Sequence, residues 1–244
     1  GDGVVHFAGP VDSADGETPR ALTVLGNMHA EAPIGGMNPL ASLDVSGDSE
    51  ICGGSITTIA GQFYGGHVYL CQDTVLTSTT GGVISFADAV DAQDGNNASL
   101  TIRGILNANG PIGGTDPLGF LEVFGAGTLG GGLVRTNASQ TYHGEVALAS
   151  DMLIQSLQAG VIRFDAGVDS AGGAGGNVPR DLIIEISPIA NDDGVTRGRI
   201  EFGGDLGGVV GLRDIRLCTG GDEIAGIPVV ATIVGLNSIS IHAR

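Results

Sequence analysis

Aspartates recur at equivalent places along this 244-residue sequence, and their carboxylates are its first candidates for chemistry. Asp12, Asp91 and Asp169 each stand just before a loop, and Asp15 and Asp94 precede glycines within the first two of these loops. Ca²⁺ prefers several oxygen ligands, so these positions are candidate calcium ligands. The competing interpretation is structural, because Asp-Gly forms turns and an aspartate caps a corner through hydrogen bonds to the backbone. Turn chemistry favours the structural interpretation.

A second pair of carboxylates, Asp192 and Asp193, lies in an insertion late in the chain. These two acids are further calcium candidates, and paired acids at a suitable separation also cleave glycosidic bonds, as in β-helical pectin-cleaving enzymes. Such enzymes need basic and histidine partners on adjacent coils, and no Gly-His-Gly or Arg-x-Lys companion occurs here. Five histidines complete the candidates: His6, His29, His67, His143 and His242. They show no H-E-x-x-H or paired spacing, so we predict surface or corner positions for them and no catalytic residue.

Three cysteines, Cys52, Cys71 and Cys218, are spaced unlike any C-x-x-C metal or redox motif. Cys52 and Cys71 are 19 residues apart (71 − 52), about one turn of a solenoid. They would therefore stack on neighbouring coils and form a disulfide in an oxidising compartment. Buried free thiols are the alternative.

Composition limits the class of protein. The chain has 44 glycines and no tryptophan, yet 42% of its residues are hydrophobic, which is too many for a disordered glycine-rich segment. The glycines are therefore expected at tight turns between short buried strands. A net charge of −17 disfavours nucleic acid and anionic lipid as partners. No apolar run is long enough to span a bilayer, and the opening residues GDGVVHF show no signal-peptide pattern.

An internal repeat organises the chain. The segment Gly54–Phe86 matches Gly132–Phe164 at one constant offset, so that Tyr64, for example, falls on Tyr142. The repeat divides the chain into residues 1–80, 81–157 and a divergent third copy, 158–244. The third copy carries two insertions and ends in an apolar segment, a last coil or a terminal cap.

The repeats predict an all-β fold. Strand-like runs of four to six residues alternate between apolar and polar side chains and are bounded by Gly, Asn, Asp or Pro, and helical spacing is missing. We predict one elongated domain, a parallel β-helix or β-solenoid, with β-sandwich repeats as the alternative. The recurring aromatic residues should fill its interior: Phe7, Tyr64, Phe86, Tyr142 and Phe164.

Two motifs carry a family resemblance. TNASQTYHGEVALASDMLIQS followed by GVIRF, with its twin ending in GVISF, resembles the repeat T-x-G-x-Q-T-Y-x-G-x-V-x-L-x-x-D-x-x-L-x-S-x-x-G-x-I-x-F of filamentous-haemagglutinin-type bacterial surface proteins. PIGGMNPLASLDV and PIGGTDPLGFLEV are similar to the V-G-G-x-x-P-L-x-S-L-x-V segment of the same repeats. The resemblance implies a secreted, right-handed β-helical stalk or adhesin at the bacterial cell surface. The insertions of the third copy depart from that pattern.

These observations together predict a non-enzymatic structural or adhesive segment of an extracellular protein. Its partners would be other copies of itself, neighbouring surface proteins or glycans, and Ca²⁺ would be its one candidate cofactor. A subunit of an extracellular filament, sheath or surface lattice is the first alternative. A carbohydrate-active β-helix with Asp192 and Asp193 as its acids is the second.

Overall fold

The structure, a computed structural model, describes residues 3–14, 18–173, 176–191, 194–196, 198–219 and 238–243. The described chain is all-β apart from one 3₁₀ turn at Gln93–Gly95, and it winds through parallel sheets as a β-solenoid. The predicted parallel β-helix is thereby confirmed, and the β-sandwich is excluded for this part of the chain. No helix in the described segments is long and apolar enough to cross a membrane.

The strands are short, three to six residues in the body of the solenoid. In chain order they are β1 (Val4–Phe7), β2 (Leu22–Val24), β3 (Asn27–Ala30), β4 (Leu43–Val45), β5 (Ser49–Ile51), β6 (Ser55–Thr58), β7 (Gln62–Tyr64), β8 (Val68–Leu70), β9 (Thr74–Ser78), β10 (Val83–Phe86), β11 (Val90–Ala92), β12 (Leu100–Arg103), β13 (Ile105–Ala108), β14 (Leu121–Val123), β15 (Gly127–Leu129), β16 (Leu133–Thr136), β17 (Gln140–Tyr142), β18 (Val146–Leu148), β19 (Met152–Ser156), β20 (Val161–Phe164), β21 (Val168–Ser170), β22 (Gly172–Gly173), β23 (Gly176–Asn177), β24 (Leu182–Ile186), β25 (Ile189–Asn191), β26 (Gly194–Thr196), β27 (Arg199–Phe202), β28 (Asp214–Thr219) and β29 (Ser238–Ala243).

Three parallel faces form the solenoid. Sheet one has the order β1-β3-β5-β8-β11, and single bridges through Ile112 connect it to β16-β19-β24-β28-β29. Sheet two has eight strands in the order β2-β4-β7-β10-β13-β15-β18-β21, and sheet three runs β6-β9-β12-β14-β17-β20-β27. The hairpins β22–β23 and β25–β26 are antiparallel and coincide with the two predicted insertions. They leave the solenoid at different corners, because β24 lies between them.

Aromatic side chains stack inside the solenoid. Tyr64 stacks on Phe86 with ring centroids 5.2 Å apart, and Tyr142 stacks on Phe164 at 4.9 Å. All four are fully buried, as predicted, whereas Phe7 in the first coil is only half-buried. The alternation of each strand explains this packing, because every second side chain points inward and meets its equivalent in the next coil.

Buried glutamines satisfy the tyrosine hydroxyls. The Tyr64 hydroxyl donates to Gln62 Oε1 at 2.8 Å, and Tyr142 donates to Gln140 Oε1 at 3.0 Å. The Gln62 amide in turn donates to the Thr77 carbonyl at 3.0 Å, so the polar atoms of this interior position are bonded. Burial raises the pKa of both tyrosines. Both hydroxyls lie within the core.

Glycine is required where coils approach closely. Gly35 has φ of +67°, and a Cβ there would lie 2.1 Å from the Thr57 carbonyl oxygen. Its equivalent, Gly113, has φ of +69° and would meet the Arg135 carbonyl oxygen at 2.0 Å. In each of the first two repeats, the first glycine of the PIGG motif thus lies at a corner that admits no side chain.

The repeat is not a whole number of coils. The number of residues per coil varies, because fewer residues separate Ser49 from its partner Val68 than separate Val4 from its partner Asn27. The equivalent strands β1, β10 and β20 fall on sheets one, two and three in turn. Each repeat makes three full coils and two further faces, so equivalent outer residues of successive repeats face different directions.

Candidate functional site

A row of polar side chains covers the outer surface of sheet one. His6 pairs in register with His29, His29 with Glu50, Glu50 with Tyr69, and Tyr69 with Asp91. Adjacent strands are about 4.8 Å apart, so outward side chains at matching positions contact one another. We call these five residues the polar ladder.

Two histidines and a glutamate meet at one end of the polar ladder. The His6 and His29 ring centroids are 4.9 Å apart. Glu31 Oε1 lies 3.0 Å from His6 Nε2 and 3.7 Å from His29 Nε2. On its other side, His29 Nδ1 lies 2.7 Å from Glu50 Oε2. Both ring nitrogens of His29 therefore face carboxylates.

The other end of the polar ladder combines an aromatic stack with a buried carboxylate. Gln93 donates from its side-chain amide to Glu50. His67 stacks on Tyr69 with centroids 4.1 Å apart, and His67 Nε2 lies 2.8 Å from Asp91 Oδ2. Asp91 is only 1% exposed, whereas Tyr69 is 36% exposed. Desolvation and then nearby carboxylates raise the pKa of Tyr69.

An open groove of about 340 Å³ runs beside the polar ladder. Its lining includes one imidazole, one phenol and four carboxylates: His29, Tyr69, Asp48, Glu50, Asp94 and Asp116. Carboxylates accept hydrogen bonds from hydroxyl groups and attract cations, and an exposed tyrosine ring offers an apolar face. The groove is thus suited to a hydroxyl-rich or cationic ligand.

The recurring aspartates cap loops in the structure. Asp12 Oδ1 accepts hydrogen bonds from the backbone N–H groups of Met37 and Asn38 at 2.9 and 3.0 Å. Asp91 Oδ1 accepts an equivalent pair at 3.0 and 3.2 Å, and Asp169 Oδ1 accepts one such bond at 3.0 Å. Each aspartate ties its own coil to a later loop, which is the structural interpretation of the sequence pattern.

Only one of the other four calcium candidates, Asp94, lies among the described residues. Asp94 lines the groove, and Asp15, Asp192 and Asp193 lie outside the described residues. Within the described segments, two groups of potential metal ligands have all ligand atoms within 4.8 Å of one another. One is His6, His29 and Glu31, and the other is Glu50, Cys52 and Cys71. Neither contains a predicted calcium aspartate, and calcium binding stays a prediction.

The two early cysteines are bonded to each other. Cys52 and Cys71 follow β5 and β8, adjacent strands of sheet one, and form a disulfide with Cα atoms 4.7 Å apart. Cys218 is free and half-buried. The disulfide lies one residue beyond the strand ends, so it links two neighbouring coils at the edge of sheet one.

A second histidine cluster lies on sheet three. His143 Nδ1 is 2.7 Å from Asp165 Oδ2, and His143 Nε2 is 3.2 Å from Glu122 Oε1. The Phe124 ring stacks on the imidazole at 4.7 Å, and the Arg103 guanidinium lies over that ring. The hydrogen bond to Glu122 raises the pKa of His143, burial opposes it, and Asp165 adds to the increase.

The sequence pattern did not reveal that His6 and His29 contact each other. Their separation along the chain is one coil of sheet one, because the two residues are paired in register. Glu50, Tyr69 and Asp91 follow, one in each later coil of the same sheet. The signal in the sequence was therefore a polar residue recurring once per coil.

Comparison of this chain with protein-family models, with curated proteins and with solved structures finds no match. The resemblance to filamentous-haemagglutinin-type repeats thus remains a prediction from the motifs, and function must be argued from the geometry.

Proposed function

We propose that this chain is a non-enzymatic segment of a secreted bacterial cell-surface protein, a rigid β-helical rod that presents its outer faces for attachment or self-association. The observation that carries this proposal is the continuous stacking of coils. Sheet two alone joins eight strands in parallel register. Because interior coils are bonded to neighbours on three faces, bending the rod would break several hydrogen bonds at once.

The disulfide supports an extracellular location. Cys52 and Cys71 are joined across two coils, and such bonds persist in oxidising compartments and are rare in the cytosol. The acidic composition agrees with a surface exposed to solvent, because a large net charge keeps chains soluble.

The groove beside the polar ladder is the attachment surface that the geometry supports best. Its carboxylates and the exposed face of Tyr69 offer hydrogen-bond acceptors beside an apolar ring. Carbohydrates need both kinds of contact, so we propose glycans as the ligand class, with basic segments of neighbouring surface proteins as the second. Glycan-array binding of the purified chain, repeated with Tyr69→Ala, tests this. Loss of binding in the variant is expected, whereas equal binding would place attachment elsewhere.

Self-association has its own structural support at the first coil. The strand β1 pairs with β3 on one side and with no described strand on the other. Val4 and Val5 on this edge are 58% and 40% exposed. In the purified chain this edge can accept a further strand, and a charged residue discourages such pairing. Sedimentation velocity over a range of concentrations, with and without Ca²⁺, should show assembly that Val5→Lys reduces. A chain that stays monomeric throughout would exclude the filament alternative.

The carbohydrate-active alternative is tested separately. Its two acids lie outside the described residues. The two inserted hairpins leave the solenoid at different corners, with β24 between them along the chain. Incubation with acidic and neutral polysaccharides should yield no new reducing ends. Cleavage that disappears in Asp192→Asn and Asp193→Asn would overturn the non-enzymatic proposal.

A further inference from the structure

We propose that His6, His29 and Glu31 form a binding site for a divalent transition metal, with Zn²⁺ as the representative ion. The site shares His29 and Glu50 with the groove proposed above for attachment, but it is argued from its own donor atoms. Its donor set is two imidazole nitrogens and one carboxylate, which is a common zinc-binding combination and differs from the all-oxygen set that Ca²⁺ prefers.

The distances fit a tetrahedral ion. Ligands about 2.0 to 2.1 Å from a tetrahedral Zn²⁺ are separated from each other by roughly 3.3 Å. Glu31 Oε1 is 3.0 Å from His6 Nε2 and 3.7 Å from His29 Nε2. All three ligand atoms lie within 4.8 Å of one another. Small movements of the side chains would therefore bring them onto one ion.

Glu50 positions the second histidine. Its carboxylate accepts a hydrogen bond from His29 Nδ1 at 2.7 Å, which fixes the tautomer that leaves the Nε2 lone pair free for the metal. Gln93 donates to the same carboxylate and holds it in place. A carboxylate that accepts a hydrogen bond from a ligating imidazole is a common supporting arrangement in zinc sites.

The backbone holds the three ligands in place, and the exposure of the His6 and Glu31 side chains leaves one coordination position of the metal open. His6 and His29 occupy paired positions in β1 and β3, and the Glu31 N–H donates to the Phe7 carbonyl at 3.0 Å. The His6 and Glu31 side chains are 51% and 47% exposed. Three protein ligands thus leave a fourth position to water or to a group from another molecule.

Titration calorimetry with ZnCl₂ tests the proposal on the full chain. We expect one Zn²⁺ per chain, no competition from Ca²⁺, and loss of binding in His6→Ala and Glu31→Gln. Glu50→Gln should weaken binding roughly 10- to 100-fold, because the metal ligands remain but their support is lost. His143→Asn removes another carboxylate-bonded histidine and Cys218→Ser removes the free thiol, and both should bind as the unaltered chain does.

Circular dichroism spectra identify any variant that fails to fold. Glu31→Gln retains the size of the side chain at an exposed position, so its result is informative even where His6→Ala is misfolded. Zn²⁺ affinity that is unchanged in Glu31→Gln and in Glu50→Gln would overturn the site, as would an unaltered chain that binds Zn²⁺ no more tightly than Ca²⁺.

Discussion

The first two repeats have nearly the same interior and very different outer surfaces. Inside, Tyr64 and Tyr142 stack on Phe86 and Phe164 in the same way. Outside, the first four residues of the polar ladder belong to repeat one, and their equivalents on sheet two are uncharged. The equivalents of the polar ladder are Ser85, Asn107, Thr128, Ala147 and Asp169.

This difference shows which positions the fold determines. Inward side chains must match the width of the solenoid and their neighbours one coil away, because packing in the interior tolerates little change of volume. Outward side chains meet solvent and are free to carry chemistry. Asp169 retains the role of Asp91 because it caps a loop, accepting a backbone hydrogen bond at 3.0 Å. The four other outer positions have no such structural task.

The largest expected effect comes from the shared interior. Tyr64→Ala and Tyr142→Ala should each cost about 3 to 5 kcal/mol of stability, since each leaves a cavity in a packed stack and frees a buried glutamine oxygen. Urea denaturation followed by circular dichroism measures both. Tyr64→Phe and Tyr142→Phe are the matched controls, which remove only the hydroxyl. A large loss of stability in one repeat with little loss in the other would show that the two interiors are not equivalent.

The disulfide is the next difference between the repeats. Repeat two has Gly130 and Ala149 where repeat one has Cys52 and Cys71. Cys52→Gly with Cys71→Ala should therefore fold, but it should lose about 3 kcal/mol because the bond closes a loop of this length. Urea midpoints with and without dithiothreitol measure the loss. Reduction should destabilise the unaltered chain to a similar degree and leave the double variant unchanged.

Exchange of the outer residues sharpens the comparison further. Ser85→His, Asn107→His, Asn109→Glu and Thr128→Glu together place the equivalents of His6, His29, Glu31 and Glu50 on sheet two. The number of Zn²⁺ ions bound should rise from one to two per chain, while each of these outward-facing changes should alter stability by less than about 0.5 kcal/mol. Calorimetry and urea denaturation provide the two measurements. One bound ion in the folded variant would show that the neighbouring strand β7, which has no described counterpart beside β1, prevents the geometry.

The sequence predicted the fold and the interior because both depend on local rules. Alternating strands, glycine corners and the offset between Tyr64 and Tyr142 each follow from nearby residues and from the repeat. The loop-capping alternative for Asp12 and Asp91 also follows from turn chemistry.

The candidate site could not be predicted in the same way. Its residues meet because of coil length, and the coils of sheet one vary in length with the size of their corners. A single misplaced residue changes which side chains point outward, so His6 and His29 pair only once each corner is known. The repeat length does not indicate which residues meet at the site, because equivalent positions of successive repeats lie on different faces.

The smallest expected effect is the pH-dependent contribution of His143 to stability, which has no equivalent in repeat one. His143 corresponds to Gly65, so its cluster exists only on sheet three. The hydrogen bond to Glu122, aided by Asp165, raises the pKa of His143 above its unfolded value of about 6.5. Protonated His143 therefore stabilises the fold fully below about pH 6.5, and this contribution is lost as the pH rises through the raised folded pKa.

His143→Asn should consequently lower stability slightly at pH 5.5 and have less effect at pH 9, because only the protonated ring gains from both carboxylates. Urea midpoints of the two chains across this range measure the difference. Salt should reduce it, since the side chain is about one-third exposed and surface ion pairs are screened. A difference that grows with pH would instead mean that the neutral ring contributes through its stack on Phe124, and the two carboxylates would then be neighbours without energetic effect.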